Sequence, residues 1–135
     1  MASDYLLILS VPLYFSLAGI RNVIRVAQGM KEEGVHKSLE VLGIILNSFE
    51  RHLIVHREAL EVLEKKFPRS VFETKIPKTI RVEEALQNNM PLWEYELDNP
   101  ASLAFKNLAA EFVHRIQEAD HGEEKTPYER TLRGR

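Results

Sequence analysis

The sequence predicts an α/β fold of three layers, in which helices cover both faces of a mostly parallel sheet. Two apolar runs, residues 5–9 and 41–46, lack any alternation with polar residues, which is typical of strands buried on both faces. Amphipathic stretches with helical spacing separate the candidate strands. Strands that alternate with helices of this length indicate βαβ units and therefore parallel pairing.

Three long helices are predicted from apolar spacing and from the residues at their ends. The first begins at Ser16 as the N-cap and ends near residue 33, before Gly34. A loop covers residues 48–54, and the second helix covers 56–67. The last helix begins within 98–102, with Ser102 as a possible cap. Its predicted core face consists of Leu103, Phe105, Leu108, Ala109, Phe112, Val113 and Ile116.

The stretch 70–95 predicts a third strand, a loop, a short helix and a further extended run. Residues 71–76 are rich in β-forming side chains, and Pro77 ends the strand because proline offers no N–H to a ladder. A basic loop, 78–81, leads to a short helix at 82–87, and 92–95 is predicted as a fourth strand. Open α/β sheets bind ligands just beyond the carboxyl ends of their strands, so this loop is the first candidate site.

Composition limits the classes of function that need to be considered. The chain has 135 residues, 44% of them hydrophobic, which predicts one domain with a buried core. A net charge of −2 gives no global attraction to nucleic acid or an anionic membrane. Because there is no cysteine, disulfides and thiolate chemistry are excluded. We expect a cytoplasmic protein without a membrane span, with a domain at 1–119 and a polar, disordered tail at 120–135.

Several short motifs occur in a recognisable order along the chain. They lie at residues 5–9, 12–19, 43–47, 71–78, 81–85 and 90–95. The combination of Ile-Pro-Lys at 76–78 with Arg81, Glu84-Ala85 and Met90-Pro91-Leu92 is specific at this spacing. From about residue 4 to 116, the chain resembles the C-terminal half of the ParA-type partition ATPases, relatives of the septum-site ATPase MinD and the nitrogenase iron protein. The resemblance implies a partial, C-terminal half of a P-loop NTPase fold.

The phosphate-binding motifs of that family are absent from the sequence. Neither G-x-x-x-x-G-K-[ST] nor its lysine-rich variant occurs, and the scattered glycines cannot form a phosphate cradle. Leu9, Val11 and Leu13 also depart from the polar and proline residues usual in the family. The intact family uses ATP and Mg²⁺, whereas we expect this chain, a truncated or separately started half, to bind neither tightly and to contain no catalytic residue or metal ligand.

The resemblance assigns nucleotide contacts to Asn47, Pro77 and Lys78. Asn47 matches an asparagine that faces the adenine edge, and an amide both donates and accepts hydrogen bonds, as that edge requires. The alternative is a loop asparagine that caps the next turn. Pro77 and Lys78 match the loop that packs on base and ribose, and the alternative is a turn that ends a strand.

The resemblance also implies a DNA-facing patch of Lys75, Lys78 and Arg81. Arginine pairs with phosphate as a bidentate fork, and the matching family position makes non-specific DNA contacts. The alternative is a surface arginine that bridges Glu83 or Glu84.

Other candidates depend on fewer residues. His52 and His56 have the i, i+4 spacing of helical zinc ligands, although no third ligand is placed nearby, so a solvated helix start is the alternative. Trp93 and Tyr95 could stack a base, but aromatic residues here also suit a core or interface. A basic tail with Arg130, Arg133 and Arg135 lacks the pattern of a membrane-binding helix.

The sequence therefore predicts the C-terminal portion of a ParA-like ATPase that acts in plasmid or chromosome partitioning. Its expected partners are non-specific DNA, a ParB-like centromere-binding protein, and either a second copy of the chain or a complementary N-terminal half. A non-enzymatic interaction or dimerisation module derived from this fold is the alternative. A MinD-like positioning ATPase is less well supported, because no amphipathic membrane-binding helix is predicted at the end of the chain.

Overall fold

Parallel strands and flanking helices follow one another along the chain. The computed structural model describes residues 3–14 and 16–121. The elements are β1 (Tyr5–Ser10), α1 (Ser16–Glu32), β2 (Glu40–Leu46), α2 (Ile54–Lys66), α3 (Ile80–Gln87), α4 (Leu92–Tyr95) and α5 (Pro100–His121). The predicted α/β class is confirmed: the chain is a small α/β domain with a two-stranded parallel sheet, compatible with part of a P-loop NTPase fold. Ser16 is the first residue of α1 rather than a cap outside it.

The sheet consists of β1 and β2 in parallel, with one irregularity. Leu6 pairs with Val41 and Leu7 with Gly43, so Leu42 is an extra residue in β2 and the ladder contains a bulge. A side chain at Gly43 would place its Cβ 2.6 Å from the Ser70 carbonyl oxygen and 2.6 Å from the Phe72 ring. Glycine is therefore required at this position by the close approach of the segment 70–72.

The prediction of a continuous third strand at residues 71–76 is wrong. Isolated parallel bridges join Ile44 to Val71 and Phe49 to Pro77. The Ile44 carbonyl accepts from the Phe72 N–H at 2.8 Å, whereas the next β2 acceptor, Leu46, bonds the Ile76 N–H at 2.9 Å. A regular parallel ladder would use residue 74 there, so residues 73–75 leave the ladder. We call residues 70–77 the edge segment.

Both faces of the sheet contribute to the core. Ile8, Ile44 and Leu46 pack with apolar residues of α1 and α2 in one cluster. Leu42 and Ile45 pack with Phe72, Ile76 and residues of α5 in another. Phe72, Ile44 and Leu46 are among the largest fully buried side chains, so the core is centred on β2 and the edge segment.

The region after the edge segment is helical where a fourth strand is predicted. Residues 92–95 form the single turn α4, because the Pro91 carbonyl accepts from both Glu94 and Tyr95 at 3.0 Å. Leu92 and Tyr95 stand three residues apart and pack with Ala85 and Ala101. Helical spacing, rather than alternation, therefore buries the apolar pair.

The final helix begins within the predicted stretch 98–102 and ends later than predicted. Asn99 is its cap, since its side-chain oxygen accepts from the Ala101 N–H at 2.8 Å and Pro100 occupies the first turn. Ser102 is not the cap, because its buried hydroxyl donates to the Glu96 carbonyl at 2.7 Å. The helix continues through Asp120 and His121, and the rest of the predicted tail lies outside the described residues.

The predicted core face of α5 is correct only in part. Leu108, Phe112 and Ile116 pack against the sheet together with Ala104. Four predicted members are exposed: Leu103, Phe105, Ala109 and Val113. Side chains of Glu111 and Arg115 occupy part of the sheet-facing surface instead, and they bind the edge segment.

Candidate functional site

The predicted nucleotide residues lie at the carboxyl ends of the parallel strands. The Asn47 N–H donates to the Ser10 carbonyl at 2.8 Å, which joins the exits of β1 and β2. Two residues later, the Phe49 N–H donates to the Ile76 carbonyl at 2.9 Å. The structure therefore brings the loop after β2 next to Pro77, as a ligand site at this edge requires.

Ser48 forms a bend between these two contacts. Its φ of 54° lies in the left-handed region that residues other than glycine seldom adopt. The turn buries Phe49, which is 9% exposed, and leaves Asn47 half-buried at the strand end. Local strain of this kind is tolerated when surrounding contacts compensate for it.

His56 supports the same loop, and sequence reasoning did not assign it this role. Its Nδ1 accepts a hydrogen bond from the Glu50 N–H at 3.0 Å, and its ring lies 6.0 Å from the Phe49 ring. His56 is 8% exposed, so the predicted solvated helix start is wrong for this residue. His52 is exposed beside Glu50. Among residues 3–14 and 16–121, no three potential ligands cluster in a way that could hold a metal ion.

The loop that contains Pro77 and Lys78 leads directly into α3. Pro77 is half-buried against Phe49, and Lys78 is exposed. Thr79 then caps α3, because its hydroxyl oxygen accepts from the Arg81 N–H at 3.2 Å. Lys78 therefore lies in a short connection fixed at both ends, with its ammonium group free to reach solvent.

Arg81 is held by acidic neighbours. Its Nη1 lies 2.8 Å from Glu84 Oε2 and its Nε lies 3.0 Å from Glu96 Oε2. The hydrogen bond to Glu84, followed by the charges of Glu84 and Glu96, raises the pKa of Arg81 above its usual value. The structure thus contains the predicted bridge to Glu84, and a DNA phosphate would have to compete with two carboxylates.

The predicted basic residues do not border the same groove. An open groove of about 1500 Å³ lies along α5 and the edge segment, and its lining includes Lys75 and Pro77. Lys78 and Arg81 are not part of that lining. Arg69 and Arg51, which sequence reasoning did not single out, lie on the groove with Lys75, together with several glutamates, so its charge is mixed.

The aromatic candidates have different environments. Trp93 is 62% exposed. Tyr95 packs beside Leu92, and its hydroxyl donates to Glu84 Oε2 at 3.3 Å. Tyr95 therefore contributes to the contact between α3 and α4. Within the part of the chain that the structure describes, no helix is both long enough and apolar enough to cross a bilayer.

Comparisons with known proteins identify relatives along most of the chain, although no family model matches. An uncharacterised protein of Methanocaldococcus jannaschii is 33% identical over 117 residues, covering 87% of this chain and 45% of its own length. The chromosome-partitioning ATPase Soj of Thermus thermophilus is 26% identical over 106 residues, with coverages of 78% and 42%. The chromosome partitioning protein ParA of Caulobacter vibrioides is 27% identical over 102 residues, with coverages of 76% and 38%.

The chain spans less than half the length of these curated relatives. Its similarity to proteins named ParA or Soj recurs across distant bacteria at 24–27% identity. This agrees with the order of motifs and with the parallel α/β architecture. Over most of its length, the chain is therefore similar to the ParA/Soj partition ATPases.

Proposed function

We propose that this chain supplies the C-terminal portion of a ParA-like ATPase in plasmid or chromosome partitioning. In this role it provides the adenine side of the nucleotide site and part of a DNA-facing surface. The groups that hold Mg²⁺ and the triphosphate come from another part of the ATPase. This chain alone therefore does not hydrolyse ATP. The observation that carries the proposal is the contact at the carboxyl end of the sheet between the loop after β2, which begins at Asn47, and the Pro77 loop, made through Phe49.

The chemistry of this strand end suits a base better than a phosphate. Asn47 offers a half-buried amide two residues before the buried Phe49, whose backbone is bridged to the half-buried Pro77. An amide and an apolar wall can together recognise the edge and face of adenine. The Lys78 ammonium adds one exposed charge, whereas phosphoryl transfer depends on a preorganised loop, a lysine and a metal ion.

The free edge of β1 supports the proposed need for a complementary half. Among the described residues, no strand pairs with the side of β1 opposite to β2. The Asp4 and Ser10 carbonyls accept from β2, so the intervening odd-numbered residues direct their N–H and C=O groups to the free edge. Leu9 is 67% exposed there. An added strand would cover this side chain and pair these groups.

The flank of α5 on the β1 side is also apolar and exposed. Phe105, Ala109 and Val113 are spaced four residues apart on the flank that reaches Asp120, whose carboxylate accepts a hydrogen bond from Tyr5. Phe105 is 41% exposed and Val113 51% exposed. A complementary half that extends the sheet past β1 would pack under this flank. In its absence we expect a second copy to occupy the edge, giving a dimer or larger species by sedimentation.

The DNA and partner roles follow from the relationship to partition proteins. Lys75, Lys78 and Arg81 provide the positive groups for non-specific phosphate contacts, and a ParB-like centromere-binding protein would act on the assembled ATPase. Because Arg81 is paired with two carboxylates, Lys75 and Lys78 should contribute more of the salt-dependent affinity. Replacing both lysines with glutamine should weaken binding to random DNA and flatten its dependence on salt.

The nucleotide proposal is tested by titrating the chain with adenosine and with ATP–Mg²⁺ while backbone amides are followed by NMR. We expect both ligands to perturb Asn47 and Lys78 with similar affinity, on the order of millimolar, since the phosphates find few partners. Asn47→Ala should abolish the perturbation. Asn107→Ala, which changes an exposed asparagine on α5, should leave it intact.

Two outcomes would contradict the proposal in different ways. If neither ligand perturbs the carboxyl end of the sheet, the assignment of an adenine site is wrong. If ATP–Mg²⁺ binds at micromolar concentration, or is hydrolysed, the division of labour between two halves is wrong. The alternative function is a non-enzymatic interaction module, which the open β1 edge favours; it would be supported by self-association without any response to nucleotide.

A further inference from the structure

The outer side of the edge segment is occupied by one carboxylate from α5. Glu111 Oε1 accepts from the Glu73 N–H at 2.8 Å, and Glu111 Oε2 accepts from the Thr74 N–H at 2.9 Å. These are consecutive backbone donors within the stretch that leaves the β2 ladder. The Glu111 side chain is 17% exposed, so its carboxylate is partly shielded from water, although the bond from Glu73 lies at the surface.

Arg115 bonds the carbonyl groups of the same region. Its Nη2 donates to the Val71 carbonyl at 3.1 Å, and its Nη1 lies 3.2 Å from the Arg69 carbonyl and 3.4 Å from the Leu42 carbonyl. The guanidinium also lies 4.1 Å from the centre of the Phe72 ring and 3.2 Å from Glu111 Oε1. One planar group thus spans β2 and the edge segment, as the fixed fork of arginine allows.

Glu111 and Arg115 form the hydrogen bonds that the backbone groups of the edge segment would otherwise form with a neighbouring strand. Residues 70 and 72 bond β2, so Val71 and Glu73 face away from it. Arg115 supplies the donor for the Val71 carbonyl, and Glu111 supplies the acceptor for the Glu73 N–H. Glu111 also takes the Thr74 N–H, which a regular ladder would direct to β2.

We propose that Glu111 and Arg115 are positioning residues, which take the place of a further strand beside the edge segment and hold Pro77 next to the loop after β2. Only four residues separate Val71 from Ile76, whose carbonyl accepts from the Phe49 N–H. If residues 73–75 were unanchored, the segment could shift in register and carry Pro77 and Lys78 away from the loop after β2. The consequence for nucleotide binding rests on the proposed function, but the positioning role does not.

The role is tested without nucleotide, by amide hydrogen exchange and NMR on Glu111→Gln. Glutamine keeps the shape of the side chain but removes the charge, and one of its terminal atoms becomes a donor facing a donor. We expect protection of the Glu73 and Thr74 amides to fall about tenfold or more. The amides of Ile76 and Lys78 should change with them, while those of α1 keep wild-type protection.

Glu118→Gln is the matched control. It makes the same substitution on the same helix, at a side chain that is 68% exposed and paired with His114. It should leave the exchange of the edge segment unchanged. Arg115→Lys provides a second variant, because an ammonium group cannot reach several carbonyls at once, and it should loosen the amides of residues 70–76.

A pH profile separates positioning from general stabilisation. The charged and titratable side chains on the groove beside Glu111 are Glu40, Arg51, Arg69, Glu73, Lys75, His114, Arg115, Glu118 and His121. We expect the amide shifts of Thr74 and Lys78 to share one acidic midpoint in the wild type, and this midpoint to disappear in Glu111→Gln but persist in Glu118→Gln.

Unchanged protection at residues 73–78 in Glu111→Gln would overturn the proposal, as would a uniform loss of protection across all elements. A loss confined to the edge segment and the Lys78 loop would support it. Because the wild-type titration with adenosine is a separate measurement, failure of the nucleotide site would not be mistaken for failure of the positioning role.

Discussion

The two edges of the sheet differ in how their backbone groups are satisfied. At the edge segment, Glu111 and Arg115 bind backbone N–H and C=O groups that face away from β2. At β1, an apolar strand ends the described sheet, and Leu9 is 67% exposed. Natural sheets usually protect a true edge with charges, bulges or covering elements. The edge segment carries such protection, whereas β1 has the composition of an interior strand.

The contrast indicates which edge of the sheet is better suited to accept a further strand. β1 and β2 have similar apolar sequences, yet β2 is buried from Leu42 to Leu46 while β1 is mostly half-buried. A continuous apolar run is typical of strands with neighbours on both sides. We therefore expect additional structure beside β1 and none beside the edge segment.

The largest expected effect comes from proline in β1, which tests whether its two sides are different. Ile8→Pro removes an N–H directed toward β2 and should destabilise the fold by about 3 kcal/mol or more. Leu9→Pro removes an N–H directed to the free edge and should fold, because proline is tolerated on the solvent side of an edge strand. Urea unfolding measures the difference.

Sedimentation of the same pair extends the test to self-association. Leu9→Pro should shift the chain toward monomer at tens of micromolar, because the free edge can no longer pair regularly. Equal unfolding free energies for the two variants would contradict the proposed difference between the two sides of β1. A wild-type protein that is already monomeric would contradict it as well.

The next effect concerns the contact between β2 and the protected edge. Gly43→Ala should destabilise the protein by about 3 kcal/mol, because its Cβ would lie 2.6 Å from a backbone oxygen and from the Phe72 ring. Gly19→Ala is the control: it lies in α1 with nothing within 4 Å, and should stabilise by up to about 1 kcal/mol. Thermal unfolding of both variants would show whether the close approach matters.

Acid should weaken the protected edge selectively. Burial raises the pKa of Glu111, but hydrogen bonds from Thr74 and Glu73 and the charge of Arg115 outweigh it, leaving the pKa below 4.5. A depressed pKa in the folded state contributes stability above pH 4.5 that is lost as the pH falls through the folded value. Glu111→Gln should cost about 1–2 kcal/mol at pH 7, and the difference should shrink toward pH 3. A constant difference would argue against the charged contacts.

The smallest effect is expected at high pH, where β1 meets the end of α5. The hydrogen bond to Asp120, aided by burial and by that negative charge, raises the pKa of Tyr5 from 10.0 to about 12. The stabilisation is complete below pH 10 and is lost as the pH rises toward 12. Absorbance of tyrosinate should show one of the four tyrosines titrating near pH 12, and Asp120→Asn should return it toward 10.

The sequence predicts that the loops containing Asn47 and Pro77 are neighbours, and the structure shows this adjacency, whereas the role of these residues in binding stays a prediction. A resemblance and their places after apolar runs single out Asn47 and Pro77, and the structure brings their loops together. For His56 the sequence suggests only a metal ligand or a solvated helix start, whereas in the structure its bond from the Glu50 N–H supports the same loop. A hydrogen bond between a side chain and a backbone group cannot be predicted from residue spacing or composition.

The wrong predictions of strands at residues 92–95 and 71–76 share a physical cause. Residues 92–95 contain β-forming side chains, but Leu92 and Tyr95 reach one apolar contact only as a helical turn. Residues 71–76 have strand propensity, but Glu111 competes for their N–H groups. In both places tertiary contacts override local preference, as happens readily for short segments.

The amino-acid sequence alone determined the α/β class, the two apolar strands, the helices between them and the proline and asparagine stops, because these depend on periodicity and on residues with restricted backbones. The tertiary structure decided which edge is protected and which is open, and which polar groups of α5 bind the edge segment. Those features depend on contacts between residues far apart in the chain, such as Glu111 and Thr74, and no local sequence pattern predicts such contacts.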